Sequence, residues 1–400
     1  MAESTKVVIV GGGVAALEGA LALRALASEA VDVELVAPER QFTYRPMLVA
    51  EPFGHGSVRT FPLRRLAEAA GASFREAIVT GVETEDRFVR TASSDAIRYD
   101  EVLLAPGAVP VTAVPGALCF RGPAEVGELE RIMDDAERGK LDRIVFAVPA
   151  GAAWALPLYE LALLARARLV DEGSVGVSIA LVTGEHSPLQ LFGAAASDAV
   201  AELLEARGIE VFTDATPLRF QDGVLATAPS RHIEADAAVA LPRLEGPRLH
   251  GVLHDSHGFI PTDGHGQVAG EVDIWAAGDA TAFPLKQGGI AAQQADAAAE
   301  SIAARAGVPV EPQPFRPVLR GLLLTGMVPR FLRSEPGRPA SAIDTEPLWW
   351  PPAKIVGRHL APFLAEHLGL AELLPDAARR NAIEVEIELT PSSHGVWSSV

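Results

Sequence analysis

The chain has a single cysteine, Cys119, in 400 residues. That excludes an internal disulfide and any paired-thiol redox centre. Set in the apolar stretch "ALCF", the thiol reads as buried and inert. Lysine is nearly as scarce: Lys6, Lys140, Lys286 and Lys354 are the whole set, and arginine supplies the other cations. No run approaches the ~18 apolar residues of a membrane span. "MAESTK" leads directly into a strand without a charged-then-apolar export signal. A cytoplasmic location is expected. With a formal charge of −18 there is little to neutralise a phosphate backbone, so nucleic acid is not an expected partner. The histidines show no metal-ligand spacing, and no metal site is expected. What the chain does have is apolar material, 48% of its residues, enough for two or three domains with a sizeable core.

"KVVIVGGGVAALEGALALRALA" is the strongest local signal. Val7 to Val10 form a short apolar run suited to a central parallel strand. Gly11, Gly13 and Ala16 then match G-x-G-x-x-G/A at the opening of a long helix. Gly11 permits the tight turn, Gly13 lets backbone approach a diphosphate, and Ala16 allows close helix–strand packing. The helix N-terminus would face the diphosphate with unpaired N–H groups. The next strand should end in an acid that holds a ribose. Its last position is Ala37, so Glu39, two residues on and followed by Arg40, is the nearest substitute. A solvated loop carboxylate is the competing reading of Glu39.

Far downstream, "VDIWAAGDATAFPLKQGG" runs from an apolar strand into Gly278-Asp279, a loop, and an alanine-rich helix. Gly278 permits close approach of a ligand, and Asp279 can accept hydrogen bonds from a polyol or sugar. This stretch resembles the second flavin motif of the two-dinucleotide-binding-domain flavoproteins. "YDEVLLAPGAVP" is similar to the strand that closes their FAD domain, with Ala105-Pro106-Gly107 where A-T-G is usual. The resemblance implies an α/β chain with two doubly wound, Rossmann-like dinucleotide-binding domains and a small C-terminal domain. The FAD domain would be residues 1–112 with 258–310, the second domain 113–257, and the C-terminal lid 311–400. It also implies that Tyr44, Arg45 and Pro46 of "FTYRP" pack near the flavin ring. Gln287 and Gly288 could donate to its carbonyls, and Lys286 could stabilise charge on the reduced ring.

The second domain should carry its own phosphate loop, normally for NAD(P)H. "RIVFAVPAGAAWALPLYELALL" breaks the pattern. Pro149 stands at the turn glycine and loses an N–H. Gly151 survives, but Trp154 stands where a small residue should let helix pack on strand. The helix is expected to start near Pro157, after a longer loop. The strand "VGVSIALVTGE" puts Thr183 at the acid position and Glu185 two further on, repeating the Ala37/Glu39 offset. This hints at internal duplication and makes ordinary NAD(P)H binding doubtful.

Within the broader family the pattern looks like the sulfide:quinone oxidoreductases and flavocytochrome-type sulfide dehydrogenases, with type II NADH dehydrogenases sharing the plan. Their sulfide chemistry uses cysteines near the flavin. Here the loop has Ala152, Ala153 and Trp154, so sulfide oxidation lacks its nucleophile. The expected function is an FAD-dependent oxidoreductase passing electrons to a quinone or similar acceptor. An NAD(P)H dehydrogenase with a non-standard nicotinamide site and a flavin-binding redox sensor or scaffold are the alternatives. Leu348, Trp349 and Trp350 could line a quinone channel or anchor at a membrane. "AKIVGRHLAPFLAEHL" could be an amphipathic helix interrupted by Pro362. Peripheral membrane contact and a homodimer are arrangements such flavoproteins adopt.

Overall fold

The computed structural model describes residues 4–333, 344–349 and 351–368. Its framework is two five-stranded parallel sheets. The first contains β1 (Thr5–Val10), β2 (Val31–Ala37), β3 (Ser73–Glu76), β4 (Glu101–Leu104) and a late strand, Ile274–Ala276. The second contains β5 (Leu118–Cys119), β6 (Arg143–Ala147), β7 (Ser178–Val182), β8 (Ile209–Phe212) and β9 (Ala237–Ala240). With Ile274–Ala276 numbered β10, the spatial orders are β10-β4-β1-β2-β3 and β5-β9-β6-β7-β8. Each sheet thus has a central strand with its successor on one side and a later strand on the other. That reversal of strand order opens a crevice at the strands' C-terminal ends.

The two sheets repeat each other further. A three-stranded antiparallel meander precedes the returning strand in both: 79–98 before β4 and 216–234 before β9. The duplication hinted at by the Ala37/Glu39 and Thr183/Glu185 offsets is therefore a property of the whole fold. Side chains alternate along each strand, so each sheet builds two cores. In the first sheet Val7, Ile9 and Leu35 pack on α1 (Val14–Ala27), α2 (Leu63–Ala69) and α6 (Gly288–Arg305), whereas Val8, Val10 and Val36 pack on the meander. In the second, Ile144, Phe146 and Leu181 face α3 (Val126–Glu137), α4 (Leu156–Asp171) and α5 (Ala194–Ala206), and Val145 and Val182 face the other meander.

The α/β class with Rossmann-like sheets is as expected. The "AKIVGRHLAPFLAEHL" stretch is corrected. Helix α7 spans Leu360–Leu368, so Pro362 lies in its first turn, where no helical N–H is required of it. The proline opens the helix and does not interrupt it. Leu360 and Leu364 are buried against α1 and α6, so this face is spent inside the molecule. Among the described residues no helix is long and apolar enough to cross a membrane.

Candidate functional site: a dinucleotide cradle and its altered twin

At the end of β1, Gly11 has φ +121, and a Cβ there would lie 2.1 Å from the Ala105 carbonyl oxygen. Only glycine fits. Gly12 is confined more softly, since its Cβ would meet the movable end of the Leu63 side chain at 2.5 Å; sequence reasoning passed over it although it is the middle of three glycines. Gly13 is different. No atom lies within 4 Å of where its Cβ would be, and it opens α1 without a side-chain cap. The first α1 N–H groups therefore face open space, the geometry an anionic diphosphate needs. Gly107, φ +79, also borders open space, while Ala105 is held by its N–H on the Val10 carbonyl at 2.8 Å. Ala16, in the first turn of α1, is fully buried.

Glu39 lies two residues beyond β2 and is exposed, on the same side of the sheet as the glycine turn. Arg40 is turned away to Glu76 at 2.8 Å, an exposed ion pair. Asp279 follows β10 in a short 3-10 turn with Gly278 at φ +77. Among the described residues no hydrogen bond reaches its carboxylate, and burial raises its pKa against the pull of Lys286 and Arg45. The carboxylate is half-buried and keeps acceptor capacity for a ligand hydroxyl. These residues fit the adenosine-diphosphate and polyol portions of FAD.

The ring end is more enclosed. Lys286 is 8% exposed; its ammonium donates to the Thr281 carbonyl and stands 4.0 Å over the Phe259 ring. Burial lowers its pKa to about 8, opposed by Asp279 and Asp255. The Gln287 side chain is already committed: Oε1 accepts the Ile290 N–H at 3.0 Å, capping α6, and Nε2 donates to Arg320 O at 2.9 Å. The second Nε2–H and the main-chain N–H of Gln287 remain as donors. Gly288 carries the Ile355 side chain on its surface, a Cβ being 3.2 Å from it. Tyr44 is buried, its hydroxyl accepting the Ile355 N–H at 3.3 Å, with Arg45 exposed and Pro46 half-buried beside it.

The segment bearing Ile355 is a strap. Lys354 pairs with Glu160 of α4, Ile355 touches Tyr44 and Gly288, and the His359 and Leu360 N–H groups both donate to Glu18 of α1 at 2.7 Å. Glu18 and Lys354 escaped sequence reasoning. The available signal for Glu18 was a lone acid in "VAALEGALALRALA", where Arg24 is the one other charged residue. Trp349 does not line an open channel: its indole N–H donates to Ala353 O at 3.0 Å and its ring meets Phe331 edge-on at 5.0 Å. Leu348 is half-buried, and Trp350 lies outside the described residues.

In the second sheet β6 ends at Ala147 and α4 starts only at Leu156, with Pro157 in its first turn. Gly151 has φ +71, unlike Gly13, its counterpart in the first loop, at −91. The Trp154 ring packs edge-on against Phe192 at 5.8 Å. Beside the indole a cavity of about 350 Å3 remains, lined by the 148–156 loop, Thr183 to Glu185, Leu189 to Phe192, Thr216 and Leu285. Glu185 is drawn inward. Its Oε2 accepts the Tyr159 hydroxyl at 2.6 Å and the Thr183 hydroxyl at 3.0 Å. Burial raises its pKa, against the pull of these two hydroxyls. Cys119 is buried on β5 and burial raises its thiol pKa, which keeps it protonated and unreactive. No group of three or more metal-ligating side chains occurs among the described residues.

Residues 5–300 match the model of the pyridine nucleotide-disulphide oxidoreductases, and the chain belongs to that family. Human apoptosis-inducing factor 3 is 28% identical over 303 residues, covering 71% of this chain and 46% of that protein. The chain therefore spans less than half the length of this relative. Among solved structures, the sulfide:quinone oxidoreductase of Aquifex aeolicus superposes with a TM-score of 0.75 at 19% identity, covering 85% of this chain and 86% of that one. A ferredoxin reductase of Rhodopseudomonas palustris gives a TM-score of 0.62 at 19% identity and 82% coverage of both chains. These likenesses establish the fold of a flavoprotein oxidoreductase.

Proposed function

We propose that this chain is an FAD-dependent oxidoreductase that passes electrons to a quinone-class acceptor. The observation that supports it most is the cradle at Gly11 and Gly13, open toward the first N–H groups of α1, with the Asp279 carboxylate, which accepts no hydrogen bond among the described residues, in the turn that follows β10. In this role residues 1–112 and 258–310 form the FAD domain, 113–257 the second domain, and 311–400 the lid. Gly11, Gly13, Ala16, Ala105 and Gly107 accommodate the diphosphate. Glu39 and Arg40 lie at the adenosine end. Tyr44, Arg45, Pro46 and Lys286 to Gly288 lie at the ring end, and Asp279 accepts from the polyol chain.

FAD supplies the electron-transfer chemistry when bound. The protein's share is access and electrostatics. Ile355 and Tyr44 exclude water from the α6 N-terminus. Lys286, with a pKa near 8, holds a proton and a positive charge close to the ring end at neutral pH. The protein works in the cytoplasm and meets a lipid-soluble acceptor at the membrane surface, with a homodimer as the assembly implied by family resemblance. NAD(P)H as donor is the second reading, supported by the glycine kept at Gly151 in the second loop.

Purified protein is expected to take up FAD and to keep its visible flavin absorbance when mixed anaerobically with NADH or NADPH. Chemically reduced protein is expected to be reoxidised rapidly by a quinone. A preparation that stays colourless with added FAD overturns the assignment. Rapid bleaching by NADH makes the nicotinamide nucleotide the donor, and no electron exchange with either leaves a flavin-binding sensor or scaffold.

A further inference from the structure

The cavity between β6 and β7 has a volume of about 350 Å3, near the small end of the roughly 300–1,000 Å3 of small-ligand sites. Trp154, Leu156, Leu189, Leu191, Phe192 and Leu285 supply its apolar wall, and Glu185 is its one charged lining residue. A diphosphate placed there would face a carboxylate and no lining cation. Arg243, whose stem passes Gly151, is not a lining residue and pairs with Glu245 at 2.9 Å at the surface. The α4 N-terminus adds little, because Pro157 has no N–H and that of Leu158 is spent on Ala155 O at 2.9 Å. A nicotinamide dinucleotide therefore does not fit these residues.

The cavity suits a flat, neutral molecule instead. Trp154 offers a ring for contact. Gln190 offers a donor: its Oε1 accepts the His186 N–H at 3.0 Å, leaving its amide NH2 without a partner among the described residues. Position adds to chemistry. Leu285 lines this cavity and immediately precedes Lys286, whose N–H lies 3.5 Å from Ala153 O. The cavity thus adjoins the loop assigned to the flavin's ring end. By contrast, the indole of Trp349 in the C-terminal region is already occupied.

We propose that this cavity is the binding site of the quinone-class acceptor, a neutral molecule of one or two fused rings whose carbonyl accepts from Gln190 and whose ring lies against Trp154. The redox role of such a ligand rests on the proposed function; its binding does not.

Equilibrium dialysis of the whole protein, with and without FAD, against 2,3-dimethyl-1,4-naphthoquinone separates the two. This probe has no open ring position for thiol addition. A single saturable site is expected. Ala152→Trp, which fills the cavity from a loop position, is expected to weaken binding by about tenfold or more. Gln190→Leu, of similar size, should weaken it about fivefold by removing the donor. Both variants should keep the wild-type FAD content, and Leu348→Ala should bind the quinone as wild type does. Undiminished binding in Ala152→Trp and Gln190→Leu overturns the proposal, as does loss of binding in Leu348→Ala. Displacement of the quinone by an equal or lower concentration of NADH also overturns it. Protein that binds the quinone with this variant pattern but takes up no FAD upholds the cavity assignment and removes its redox role.

Discussion

Glu160 holds the ammonium of Lys354 between its two carboxylate oxygens, at 2.6 and 2.5 Å, with the side chains 0% and 8% exposed. The Leu324 N–H donates to the same carboxylate at 2.9 Å. A helix of the second sheet is thereby tied to the strap that covers the first sheet's α6.

Removing one partner leaves a buried charge unpaired. Glu160→Gln or Lys354→Met is expected to cost about 3–5 kcal/mol in chemical denaturation. The double variant Glu160→Leu/Lys354→Met should recover most of this and lose only about 1–3 kcal/mol, because the Leu324 N–H is left without its acceptor. A double variant as unstable as the singles would refute the ion-pair account.

Glu18 caps the start of α7 from another helix, accepting the His359 and Leu360 N–H groups. Glu18→Ala should cost about 1–3 kcal/mol for stranding these donors. The loss should concentrate in faster amide hydrogen exchange over 357–366, with β1 and β4 protected as before. Uniform acceleration across the chain would contradict it.

Asp296 on α6 faces Glu18, and its pKa is pushed up to about 9, chiefly by burial and then by the charge of Glu18, with Arg358 opposing. His359 approaches it at 3.9 Å, and Glu300 raises it further. Across the window from its unfolded value of about 4 up to about 9, the folded state binds the extra proton. The stability it contributes is complete below about pH 4 and is lost as pH rises through the folded value. Asp296→Asn should remove this dependence and be more stable than wild type at pH 8, by about 1 kcal/mol or more. Parallel stability curves for the two proteins across this window would exclude it.

Gly13→Asp separates the cradle from the fold. No neighbour crowds that position, and its φ of −91 admits any residue, so thermal unfolding of the FAD-free protein should move little. A carboxylate aimed at the diphosphate should reduce FAD uptake by about tenfold or more. Gly11→Ala, at φ +121 against the Ala105 carbonyl, is expected to fail in folding as well. Full flavin content in the Gly13→Asp protein would disprove the cradle.

The glycine cradle and the Gly278-Asp279 turn were legible because each is local: a strand, a steric requirement and a helix within a few residues. The motif places Gln287 at the flavin's ring end, and the structure adds that its amide bonds Ile290 and Arg320. The second partner lies 33 residues away, beyond the reach of a motif. The bulk of Trp154 at a small-residue position is legible in the loop itself, and α4 starts late, at Leu156. The direction of the indole depended on Phe192, on a separate segment, so whether it closed the crevice or walled it was not contained in "PAGAAW".

The order of apolar strands, glycine turns and helix starts along the chain determined two Rossmann-like halves and the place of the first dinucleotide loop. Those features follow from short-range sterics and from alternation along strands, which neighbouring residues encode by themselves. The tertiary structure alone decided that Glu185 turns to Tyr159 and Thr183, that Glu160 and Glu18 anchor the strap, and that an apolar cavity remains beside Trp154. A buried polar group is stable only where a partner meets it, and here the partners come from residues up to 342 positions distant.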